Sequence, residues 1–216
     1  MNVSNSISLF YVLTGRVFLS PGVPKEYPFA NTLEVNKPIN KEIYWYALRI
    51  TYSRELALKA YLDQEHIENF VPMHYEYVIR NGQRIRKLVP AVHNLIFIRS
   101  TRRKIDEIKE ANATTLPLRY IMDRETRRPI IIPEAQMQYF IAVAGNYDQQ
   151  IIYLPSDECG AQKGDRVRIT GGVFEGVEGI FLRVKGDRRV VVSIQGVMAV
   201  ATAFVHPSLI ERIDNQ

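Results

Sequence analysis

Residues 70–98 read FVPMHYEYVIRNGQRIRKLVPAVHNLIFI, and this stretch decides the fold. Asn81-Gly82 stands between two extended runs, and a pair of residues able to take positive φ makes the two-residue turn of an antiparallel hairpin. Phe70 to Ile79 forms the outgoing strand and Arg84 to Val89 the return. Beyond Pro90, the short run Leu95 to Ile98 is apolar at every position, the pattern of a strand buried on both faces.

Working outward, Tyr44 to Ile50 (YWYALRI) reads as a second buried strand. Ser53 is placed as the N-cap of a helix ending near Glu68, with Glu55 in its first turn and Leu58, Tyr61 and Leu62 on one apolar face. Thr101 to Ala111 is a second helix with Ile105 and Ile108 inward. Leu118 to Met122 and Ile130 to Ile132 are short strands around the polar turn DRETRR. Pro133 at a first helical position starts a third helix, closed by Gly145. The order β-α-β-β-α-β with an added helix predicts an α+β chain whose first unit is ferredoxin-like, a sheet with helices on one face.

Four regions follow. Residues 1–40 carry Pro21, Pro24, Pro28 and Pro38 and read as a weakly structured extension. Residues 43–145 are the first domain, 146–161 a linker, and 162–216 a second unit. In that unit Asp165 to Thr170, Val177 to Val184, Arg189 to Ile194, Val197 to Phe204 and Leu209 to Ile213 alternate with turn signals. Five short strands without a helix predict a small closed barrel.

The chain has 216 residues, 46% hydrophobic and 24% charged, which excludes collagen-like and disordered classes. Cys159 is the single cysteine, so neither an internal disulfide nor a cysteine-based zinc site is expected, and a reducing cytoplasm fits best. The apolar run Ile7 to Leu19 lacks the basic flank and small-residue cleavage site of a secretion signal, and no run reaches membrane-spanning length.

Enzyme signals are weak. His66, His74, His93 and His206 have no metal-site spacing, and no nucleophile elbow, P-loop or dinucleotide fingerprint is present. No catalytic residue, metal or cofactor is therefore expected. The net charge is +5, and it is uneven: residues 41–150 carry 17 basic and 13 acidic side chains, whereas 157–216 carry eight of each. Between Glu76 and Asp106 no acid occurs, while Arg80, Arg84, Arg86, Lys87, Arg99, Arg102, Arg103 and Lys104 do. A merely solvated face mixes signs, so this run points to phosphate. The candidate nucleic-acid contacts are Arg80, Arg84, Arg86, Lys87, Arg102 and Arg103.

Residues 164–181, GDRVRITGGVFEGVEGIF, resemble a KOW motif, with Gly164, Asp165, Val167, Gly172, Phe174, Gly176 and Gly179 carrying the likeness. Tyr44-Trp45-Tyr46-Ala47-Leu48 resembles the opening strand of the NusG N-terminal (NGN) domain, and Pro90 to Ile98 resembles its P-L-F-P-x-Y-L-F-V segment. The family's aromatic positions read Val92 and Leu95 here, and its second proline reads His93. The likeness covers residues 43–213 and is nearer in type to the specialised RfaH and UpxY-like antiterminators.

The resemblance implies an NGN domain followed by an SH3-like KOW barrel in a non-enzymatic, cytoplasmic and monomeric protein. It implies binding to the clamp helices of the largest RNA polymerase subunit, with suppression of pausing and termination on particular operons, such as those for surface polysaccharides. Trp45, Val92, Leu95, Phe97 and Tyr120 would line or support the docking depression. The basic hairpin would approach upstream or non-template DNA or nascent RNA, and the barrel would offer a site for a ribosomal protein or a termination factor. A barrel that stays β is expected from Val190, Val191, Val192, Val197 and Val200. A ribosome- or RNA-binding KOW protein is the alternative reading, and an enzyme with an unrecognised site a further one.

Overall fold

The computed structural model describes residues 42–147, 150–155 and 164–213. The extension expected over residues 1–40 lies outside them, as do Cys159 and the apolar run 7–19. The described chain is mixed α/β with strands predominating.

The first sheet is built from β1 (Tyr44–Ile50), β2 (Asn69–Phe70), β5 (Leu95–Ser100) and β6 (Leu118–Tyr120), in the antiparallel order β2-β5-β1-β6. A two-residue strand β7 (Ile131–Ile132) also pairs with β1. Register puts Tyr46 opposite Ile98 and Ala47 opposite Phe97. Since successive side chains alternate, Trp45, Ala47, Leu95 and Phe97 share one face, and Tyr46, Leu48, Ile96 and Ile98 the other.

Both faces are apolar, so both must be covered. Helix α1 (Glu55–Gln64) supplies Leu58 and Leu62 to the Tyr46 face, and α2 (Arg102–Ala111) supplies Ile105 and Ile108. Helix α3 (Glu134–Ala144) covers the Trp45 face with Met137, Phe140, Val143 and Ala144. Helices on one face only, as the element order suggested, is thus corrected: β1 and β5 are too apolar on both sides to leave either in water.

Local chemistry also moved boundaries. The strand expected over Phe70 to Ile79 splits at Val71-Pro72, because Pro72 has no N–H to donate to a ladder. β2 remains in the main sheet, whereas β3 (Met73–Arg80) pairs only with β4 (Gln83–Pro90). Ser53 does not cap α1. It lies at φ 49°, its backbone N–H donates to Asn94 Oδ1 at 2.9 Å, and Arg54 holds the cap position without a side-chain hydrogen bond. Pro133 likewise stands one residue before α3 rather than inside it.

The second sheet runs β13-β9-β10-β11-β12-β8, from β8 (Ile152–Pro155), β9 (Asp165–Ile169), β10 (Glu178–Val184), β11 (Asp187–Ile194), β12 (Met198–Ala201) and β13 (Ile210–Arg212). Five of these are the strands expected from the alternation. The sixth, β8, falls in the expected linker and pairs with β12, so residues 152–155 are sheet and not tether. Among the described residues the end strands β13 and β8 do not pair, so hydrogen bonds do not close the barrel.

One apolar core joins the two sheets, extending from Trp45 and Phe97 through Met137 and Phe140 to Val190, Val192 and Val200. The Phe97 and Phe140 rings lie 5.5 Å apart. Gln136 Nε2 of α3 donates to the Ser193 carbonyl at 2.5 Å, and the Tyr153 hydroxyl of β8 donates to the carbonyls of Met73 and Ala144 at 3.2 and 3.3 Å.

Candidate nucleic-acid interface

The hairpin β3–β4 stands apart from both sheets as its own two-stranded ribbon. Asn81 at φ 52° and Gly82 at φ 75° make the tight turn, and Arg80 pairs with Gln83 across it. Tyr75 pairs with Leu88, Tyr77 with Arg86 and Ile79 with Arg84. Paired residues lie on the same side, so these six form one face.

On that face the guanidinium carbon of Arg86 lies 3.6 Å from the Tyr75 ring centroid, and that of Arg84 lies 4.1 Å from the Tyr77 centroid. Each arginine therefore reaches diagonally toward the hairpin base and stacks on the preceding tyrosine. Arg80 and Lys87 belong to the opposite face with Glu76, the one acid among residues 73–90. All four cations are exposed.

The other two candidates have different surroundings. Helix geometry sets residues four apart on one face, so Arg102 Nε sits 3.8 Å from Asp106 and Arg103 Nε 3.0 Å from Glu107. Arg99, part of the same acid-free run, holds Glu68 at 3.2 Å and Glu134 at 3.0 Å. The apparent sign bias around α2 is thus offset by acids just past the run or brought from elsewhere. The positive charge that keeps its excess is on the hairpin.

The five docking candidates are not brought to one surface. Trp45, Leu95 and Phe97 are buried in the core beneath α3, with Val92 half-buried beside them. Tyr120 is on the other face of the sheet, its ring edge-on to Tyr46 at 5.7 Å and under Lys109 Nζ at 4.5 Å, its hydroxyl donating to the Arg102 carbonyl at 3.3 Å. Burial, then the neighbouring Asp106 carboxylate, push the Tyr120 phenol well above its ordinary value. A direct contact role for Trp45, Leu95 and Phe97 is corrected to support from within.

In the second sheet, Val167 and Phe174 are core residues and Asp165 accepts from Arg212 at 2.9 Å. Gly164 and Gly179 lie where a side chain would collide, and Gly172 and Gly176 take positive φ in the loop between β9 and β10. At Gly179 a Cβ would come within 2.5 Å of the Val191 carbonyl oxygen, so only glycine lets β10 and β11 approach this closely.

A cleft of about 880 Å³ lies among residues 123–133, α3 and β10–β11, lined by Asp123, Arg128, Gln136, Tyr139, Arg166 and Glu178. Glu178 is held there by Arg168 at 2.6 Å and Arg166 at 3.7 Å. Among the described residues no group of acids, histidines or cysteines could hold a metal ion, and no helix is long and apolar enough to cross a membrane.

Residues 43–141 match the family model NusG, described as transcription termination factor nusG. The match spans the first sheet, the hairpin, α1, α2 and most of α3. Among solved structures, a similar chain is that titled "Domain interaction in Thermotoga maritima NusG", 16% identical, with a TM-score of 0.39, covering 80% of this chain and 98% of that chain. No curated protein matches.

Sequence reasoning named the hairpin cations but missed Tyr75 and Tyr77. The signal was present: counting back from Asn81-Gly82 sets both tyrosines on the face of Arg84 and Arg86.

Proposed function

We propose that this chain is a NusG-family transcription elongation and antitermination factor, with an NGN domain followed by a KOW module. The observation that carries the reading is the family match over residues 43–141, the region that also holds the exposed basic hairpin. The protein is non-enzymatic and cytoplasmic and acts by binding RNA polymerase at the clamp helices of its largest subunit. Its specialised, operon-specific type rests on the substitutions Val92, His93 and Leu95 in the Pro90 to Ile98 segment.

Hydrophobic anchors supply affinity in such docking and charge steers association. Val92 and Tyr120, both partly accessible, are the proposed contact positions; Trp45, Leu95 and Phe97 hold the sheet beneath. Arg80, Arg84, Arg86 and Lys87 meet phosphate of the upstream or non-template DNA or of the nascent RNA, with Arg102 and Arg103 as flanking charge.

The test is capture of RNA polymerase by the tagged full-length chain, followed by read-through of a terminator in a purified transcription assay. Polymerase capture with increased read-through is the expected result. Recovery of ribosomes without polymerase would replace this reading with the ribosome- or RNA-binding alternative.

A further inference from the structure

We infer that the Tyr75–Tyr77 face of the β3–β4 hairpin is a stacking platform for unpaired bases, so that the hairpin binds single-stranded nucleic acid in preference to duplex. The inference rests on the proposed phosphate contact of the same hairpin and names what lies between the phosphates.

Three observations carry it. First, both tyrosines are solvent-accessible, 36% for Tyr75 and 57% for Tyr77, with Ile79 81% exposed beyond them on the same face. Large apolar groups in a row on an unpartnered ribbon mark a contact surface. Second, the spacing is that of a nucleotide stack. Residues two apart on a strand are about 6.8 Å apart, twice the ~3.4 Å rise per nucleotide along a strand. The rings at 75 and 77 are therefore in step with every second base. Third, the cations stand on the aromatic groups. Arg86 over Tyr75 and Arg84 over Tyr77 lie at stacking distance. A guanidinium lying flat on a ring directs its N–H groups sideways, toward a backbone running along the ribbon.

The face also leads into a recess. Tyr75 lines a notch of about 390 Å³ with His74, Tyr147, Tyr153 and Lys185, where aromatic walls and one cation suit a base splayed from a strand. Duplex DNA keeps its bases stacked inside and offers this face only phosphate. A single strand offers both, and base–aromatic stacking combined with a basic track is how such strands are held without sequence readout.

The experiment measures binding of the full-length chain to three fluorescein-labelled probes at matched salt: a mixed-sequence single-stranded 12-mer, the same length with abasic sites throughout, and the corresponding duplex. Each stacked base is worth about 5-fold to about 150-fold in affinity, so the intact single strand is expected to bind at least that much more tightly than the abasic strand. Tyr75→Ala with Tyr77→Ala should remove the difference, while Tyr75→Phe with Tyr77→Phe should keep it. The comparison of probes on the unaltered protein stands even if the alanine pair fails to fold.

Equal, salt-sensitive binding of all three probes would overturn the stacking platform and leave the phosphate contact in place. Binding of none at low salt would overturn both. Loss of polymerase capture by the alanine pair with no change toward oligonucleotides would assign the face to protein and overturn the inference.

Discussion

At Leu95 and Gly179 the side chain or its absence is fixed by what surrounds it. Leu95 is buried against the Trp45–Phe97 face, so Leu95→Asp places an unpaired carboxylate in the core at a cost of several kcal/mol, roughly 3 or more. The expected outcome is loss of the cooperative thermal transition in circular dichroism. The variant reports folding rather than docking, whereas Val92→Asp, at a half-buried position, should stay folded and lose polymerase capture. Gly179→Ala forces β10 away from β11 and should lower stability by about 1–3 kcal/mol, as overpacking does, measured by urea denaturation.

At the scale of the element, the hairpin separates charge from structure. Neutralising Arg80, Arg84, Arg86 and Lys87 to Gln leaves the Asn81-Gly82 turn and the β3–β4 ladder untouched. Only the two cation–π contacts are lost, about 0.5–1 kcal/mol each at exposed sites, so the melting temperature should fall by a few degrees at most. The slope of log affinity against log salt should fall by about one for each phosphate contact removed. A fluorescence titration at several salt concentrations checks this, and an unchanged slope would leave the four cations as plain surface. Much of this element was legible beforehand: alternation and an Asn-Gly pair are local signals. The pairing of Arg102 with Asp106 and Arg103 with Glu107 was local too, since a four-residue spacing on a helix determines it. The claim of Arg99 by Glu68 and Glu134 was not, because those partners lie 31 and 35 residues away.

For the whole molecule, the joint between the sheets governs stability. Tyr153 donates its hydroxyl to Met73 and Ala144, and burial pushes its phenol well above the ordinary value of 10.0. Raised in the folded state, this group contributes fully below pH 10 and its contribution is lost as pH rises beyond that, because the unfolded chain then sheds the proton while the fold retains it. Tyr153→Phe should cost about 0.5–1.5 kcal/mol at pH 7 and flatten the fall in stability above pH 10, both read from denaturation at pH 7 and pH 11. In a spectrophotometric titration, Tyr153 and Tyr120 should ionise after ordinary exposed tyrosines, such as Tyr52. The shared core carries a further expectation. A fragment ending at residue 145 would expose the α3 surface that packs on β11 and β12, so it should aggregate or melt below the full chain in a concentration-dependent thermal scan.

The amino-acid order by itself determined the strands, helices and turns, because these follow from alternation, helical spacing and turn residues within a dozen positions. It determined the excess charge of the hairpin as well, and the need for glycine between β9 and β10. Only the tertiary structure decided which apolar face is covered and by what. Trp45, Leu95 and Phe97 read equally well as a docking surface or a core, and α3 with the second sheet made them core. Residues 152–155 read as tether until β12 offered unpaired backbone groups for them to satisfy. Burial and edge pairing depend on segments far apart in the chain, and no local pattern specifies which partner arrives.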